Sequence, residues 1–134
     1  MVAACACLVA GACQTSRPAD WNERAVRAAD LHSDREFSRA EQMYRSLLSE
    51  APEGSRDARY VHTKLAELSA DRGNYRRALE HYQRAWRGHR GEIAARSRFD
   101  AGLIHDRHLN SPEEAEDHWF AVIQSYPNTA NAEK

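Results

Sequence analysis

Three alanines set the frame for this chain. Ala40, Ala78 and Ala115 stand 38 and 37 residues apart, and each opens the same short run. Four residues on come Tyr44, Tyr82 and Trp119, and seven residues on come Leu47, Ala85 and Val122. Twelve residues on stand Pro52, Arg90 and Pro127. Steps of four and three residues place these side chains on one face of a helix, and a small residue there lets a partner helix approach closely. A stripe repeated at a fixed period describes helical hairpins that bury their apolar faces only by stacking on one another. No alternating strand pattern competes with it, so the chain reads as all-α.

Local signals divide the body into six helices, over about 19–33, 37–50, 57–72, 75–88, 93–108 and 112–126. Gly73 suits the left-handed end of the third helix, and Asn74 can cap the fourth. Ser111-Pro112-Glu113-Glu114 reads as a capping box that opens the sixth. Glu80 and Arg84 form a favourable pair one turn apart. Surplus residues are expected in connections: Ser55 to Ala58 in the first, Ile93-Ala94 in the second, and one residue near Asn110 in the third turn. Tyr44, Tyr82, Trp86, Trp119 and Tyr126 are expected to pack between helices. Trp21 and Phe99, each on a first helix, stay open between core and surface.

The pattern resembles the tetratricopeptide repeat, a helix–turn–helix unit. The middle repeat carries the likeness most fully, with Leu65-Ala66, Gly73-Asn74-Tyr75, Ala78, Tyr82 and Ala85. Ala28 takes the small position in the first repeat, and Ala101-Gly102 the corresponding pair in the third. Arg24 and His62 stand where an early aromatic belongs, and Arg90-Gly91 replaces a closing proline. The resemblance implies three tandem repeats, about 21–54, 59–92 and 95–129, forming a short right-handed α-solenoid over 21–129. Residues 130–134 are then a tail or the truncated start of a further helix, and the uncapped end predicts self-association or a partner there. The resemblance also implies a protein-binding groove lined by the first helix of each repeat. Those residues are Asn22, Ala25, Ala29 and His32; Tyr60, Thr63, Glu67 and Asp71; and Arg96, Phe99, Leu103 and Arg107. Ala25 and Ala29 stand where the chaperone-binding subset of the family carries a lysine and an asparagine, so that subset is not implied.

The first thirteen residues, MVAACACLVAGAC, carry no charge. The run is too short to cross a bilayer as a helix, which takes about 20 residues, and suits the apolar part of an export signal. Ala10-Gly11-Ala12 before Cys13 resembles a bacterial lipoprotein signal, with residues 1–12 removed, Cys13 lipidated and 13–20 a tether. Ala10 stands where a larger aliphatic residue is usual, and a basic start is missing. Gln14 after the cysteine implies sorting to the outer membrane, facing the periplasm. The ending from Gln124 is similar to segments of periplasmic repeat proteins of the β-barrel assembly machinery and of the Tol–Pal system, so the resemblance implies a role in envelope or outer-membrane protein assembly. A cytosolic repeat scaffold whose start is misplaced is the alternative.

Chemistry is scarce in the body. Phosphate-loop, HExxH, CxxC and G-x-S-x-G motifs are missing, and all three cysteines fall in the first 13 residues. The reading is therefore a non-catalytic adaptor without a cofactor. His105, His108 and His118 offer the one alternative, a small metal site. The net charge of -1 hides a basic middle, with eight arginines between 72 and 98, and an acidic end. Arg76, Arg77, Arg84 and Arg87 form a candidate basic contact surface for a protein partner. The near-neutral balance gives no nucleic-acid footprint. The partners expected are proteins, and the membrane through the lipid anchor.

Overall fold

The computed structural model describes residues 17–125; Cys13, the signal segment and everything from Tyr126 onward lie outside the described residues. The described chain is all-helical, with α1 Trp21–Ser33, α2 Phe37–Glu50, α3 Arg56–Asp71, α4 Tyr75–Trp86, α5 Glu92–Arg107 and α6 Pro112–Ser125. Each helix packs on the next in chain order, and α3 also packs on α5. None of these helices is long and apolar enough to cross a membrane.

The six expected helices are all present, with ends within about two residues, the usual fraying margin. The first two hairpins turn on the same device. At the end of α3, Gly73 adopts φ 77°, its N–H reaches the Ala70 carbonyl, and Asn74 N–H reaches Ser69. The Asn74 side chain then accepts from Arg77 N–H and opens α4. These paired bonds satisfy carbonyls that a helix end would otherwise leave bare. At the end of α1 the bonds recur, Arg35 to His32 and Glu36 to Leu31, but Arg35 takes the left-handed φ of 63°. Its guanidinium lies 5.1 Å from the centre of the Phe37 ring. The third turn is one residue longer, as expected near Asn110, which takes φ 50°.

Two expectations about connections are corrected. Ser55 caps α3 by accepting from Ala58 N–H at 3.1 Å, so 56–58 form the first helical turn rather than a loop. Ala58 and Ala94 are buried, and α5 begins at Glu92. The surplus residues lengthen helices because their alanines gain burial there. The Ser111 hydroxyl donates to the Leu109 carbonyl rather than forming the expected capping box. Glu80 and Arg84 form no ion pair among the described bridges; both are exposed.

The repeated stripe is the core. Ala40, Ala78 and Ala115 are fully buried, as are Ala28 and Ala66 across from them. Tyr44, Tyr82, Leu47, Ala85 and Val122 fill the same face. Trp86 and Trp119 are half-buried. Gly102 takes the small position in the third hairpin, and a Cβ built there would come within 2.8 Å of the Trp119 indole. The larger aromatic therefore demands the smaller partner. Trp21 settles into the core and donates its indole N–H to the Leu47 carbonyl.

Candidate functional site

The α1 and α3 helices run side by side in the same direction. Arg17 meets Asp57, Trp21 meets Tyr60, and His32 meets Asp71, a steady offset of 39 to 40 residues. Between them lies an open groove. Its larger part, about 690 Å³, runs beside the first half of α1. Asn22, Ala25, Tyr60, Thr63, Glu67 and Arg96 line it, all of them expected lining residues. Its smaller part, about 360 Å³, continues beside the end of α1, where Ala29, His32, Glu67 and Asp71 line it. Lys64 and Glu67 line both parts.

The floor is made by packing. Ala25 and Thr63 are buried, and the Thr63 hydroxyl meets the buried Ser97 hydroxyl at 3.0 Å. That hydroxyl pair lies between α3 and α5. Across it the groove reaches only the first turns of α5, at Glu92, Ile93 and Arg96: Phe99 packs against Trp119, and Leu103 and Arg107 line neither part. Three of the expected lining residues thus fall outside it.

The walls carry both signs of charge, mostly paired. Arg17 bonds Asp57 at 2.8 Å, Lys64 bonds Glu67 at 2.9 Å, and Arg96 bonds Asp100 at 2.9 Å. Burial pushes the Asp100 carboxyl up, and Arg96 opposes that shift. Lys64 also sits 5.7 Å from the centre of the Tyr60 ring. His32 Nε2 donates to Asp71 at 2.6 Å. Arg17, Val26, Arg56, Lys64 and Ile93 join the lining, none of them expected there from the sequence. Helical spacing could have found Val26, four residues after Asn22.

Tyr44 forms part of the smaller cavity's wall. Its side chain is buried, and its hydroxyl has no hydrogen-bond partner among the described residues. Burial raises the phenol well above the usual tyrosine range, and the nearby Tyr60, Glu67 and Asp30 raise it further.

The other candidate clusters resolve differently. Arg77 is not a free member of the basic surface: it bonds Glu41 at 2.7 Å, and Arg72 and Arg45 share the same carboxylate at 2.9 and 2.8 Å. Arg76, Arg84 and Arg87 remain exposed. The three histidines do not converge. His108 stacks on Tyr75 at 4.2 Å, whereas His105 and His118 stack on each other at 5.3 Å. No group of three metal-ligating side chains comes together among the described residues. A second imidazole pair, His62 and His81, brings its Nδ1 atoms to 3.1 Å between α3 and α4. Burial is the main cause that lowers both His81 and His118 to about 4, and a neighbouring imidazole and arginine add to it.

Comparison with protein-family models, curated proteins and solved structures finds no match for this chain.

Proposed function

We propose that the chain is a non-catalytic docking protein whose α1–α3 groove receives an extended segment of a protein partner. On this reading the hairpins form a short tetratricopeptide-type solenoid, and Cys13 anchors it to the bacterial envelope, at the outer membrane facing the periplasm. There it would serve envelope or outer-membrane protein assembly. The observation that carries the docking reading is the continuous groove, whose eight expected lining residues on α1 and α3 all face it. Its mixed apolar and charged walls suit a peptide main chain with a few side-chain anchors.

The test is site-specific photo-crosslinking in the native cell. A photoreactive residue at Asn22 or Tyr60 should trap a discrete partner, and one at the exposed Ser46 on α2 should not. Equal trapping from both positions would end the groove reading. Labelling with a fatty acid tests the anchor separately: the label should vanish in Cys13→Ser, and a label that survives refutes it.

A further inference from the structure

The smaller cavity holds an unmet polar group at its wall. Tyr44 is 0% exposed, and its hydroxyl has no partner among the described residues. A buried hydroxyl without a hydrogen bond is costly, so a ligand that supplies one gains on binding. The charge around it decides which ligand. The charged groups that act on the phenol from nearby are Glu67 and Asp30, and both disfavour negative charge there. Glu67 and Asp71 stand one turn apart on α3, both on the cavity wall.

Neither carboxylate is tied in a way that excludes a newcomer. Glu67 is held by Lys64, its neighbour three residues away, a half-buried pair within one turn of α3 that uses one of the two carboxylate oxygens. Lys64 already lies near the Tyr60 ring and can rest over it when released. Asp71 offers one oxygen to His32, and its side chain is 57% exposed, which leaves the other oxygen open. Arg35, the remaining cation of the wall, is drawn over the Phe37 ring.

We propose that this cavity, between Tyr44, Glu67 and Asp71 at the end of α1, is a receptor pocket for a basic side chain carried by the segment in the groove. Arginine fits best, since its planar fork can donate to Glu67, Asp71 and the Tyr44 oxygen together. The inference rests on the groove reading and names the chemistry of its ligand.

The test is to pan a random peptide library on the full chain and measure the selected peptides by fluorescence anisotropy. The peptides should share an arginine or lysine at one position, and alanine there should weaken binding about tenfold. In Glu67→Gln and Asp71→Asn that loss should shrink to about twofold, because the partner charge is gone. Tyr44→Phe should weaken the basic peptide about threefold with an unchanged circular dichroism spectrum. Peptides that instead share an acidic residue or a free carboxylate, or a basic residue whose loss is as large in both variants, overturn the proposal.

Failure of the groove itself reads differently. Ile93→Asp and Asn22→Arg alter only the larger part, and peptide binding indifferent to both removes the groove reading. Agmatine, a guanidinium without a peptide, separates the sources. Shifts of the Ala29 and Asp71 amide resonances with agmatine, alongside peptides that ignore Ile93→Asp, would make the pocket a small-cation site and overturn its role in docking. Agmatine shifts that vanish in Asp71→Asn, with peptides sensitive to Ile93→Asp, support it.

Discussion

The second and third hairpins solve one packing problem with different pairs of residues. In α3–α4 the small position is Ala66 and the aromatic is Tyr82; in α5–α6 they are Gly102 and Trp119. The second hairpin closes on a three-residue turn with Gly73 in the left-handed region, the third on a turn one residue longer through Asn110. The outer faces diverge as well. Phe120 and Ile123 on α6 are 60% and 54% exposed, whereas no large apolar side chain on α4 is exposed to that degree. What is kept between the hairpins is the sum of the facing volumes, not either residue, as close packing requires.

The sharpest way to break this comparison is Gly102→Ala. The added methyl group collides with the Trp119 ring and should cost about 3 kcal/mol, read by urea denaturation. Adding Trp119→Tyr recreates the pair of the second hairpin and should recover most of that loss. A double variant as unstable as the single one would refute complementary volumes as the cause. Ala66→Gly in the second hairpin should cost only about 1 kcal/mol, mainly from helix propensity.

The next effect separates the hairpins by their ties to the rest. Glu41 on α2 holds Arg72 and Arg77, so the second hairpin is bound to the first by charge. Glu41→Ala should destabilise the chain by about 1.5 kcal/mol, and less in high salt. Equal losses in low and high salt would show that packing, not charge, makes the tie.

Acid treats the two hairpins alike, because each holds one strongly depressed imidazole. His81 and His118 titrate near 4 when folded and at the ordinary value of 6.5 when free. The folded state therefore binds fewer protons below 6.5. Stability is full above that value and falls as the pH drops from 6.5 to about 4. The full shift is worth about 3 kcal/mol for each imidazole, and solvent screening of these partly exposed rings reduces the expected fall to about 1 kcal/mol each, measured as melting temperature against pH. His81→Gln and His118→Gln should each remove about half of the slope, and a slope unchanged in both would assign the acid sensitivity elsewhere.

The smallest effect contrasts the turns of the first two hairpins. Arg35→Gly places glycine where the second hairpin has it and should stabilise by about 0.5 kcal/mol, the relief of the left-handed backbone less the lost contact with Phe37. Gly73→Ala should destabilise by about 1 kcal/mol. Calorimetry of both variants would show whether the turn or its neighbours set the difference.

Much of the fold was legible because it is periodic. The alanine–aromatic stripe places one face of each second helix, and Gly73 and Asn74 mark a turn by their backbone chemistry. Ser55 to Ala58 read as a loop from the repeat spacing alone, whereas helix length follows from whether an extra turn can bury its alanines. The groove was legible along α1 and α3, where side-chain spacing alone decides the face. It failed at Phe99, Leu103 and Arg107, because the gap between two helices depends on side chains from both. The contact of Thr63 with Ser97 joins residues 34 apart on two of the helices, and neither alone announces it. Tyr44 was read as core, which it is; its unmet hydroxyl becomes visible only beside the cavity.

The length of α1 also sets a ruler. The groove runs along it for thirteen residues, about 20 Å of helix. An extended chain covers that in about six residues. If the groove receives a partner segment as proposed, that segment is a short linear word, one that a flexible tail or an exposed loop can present without its owner unfolding.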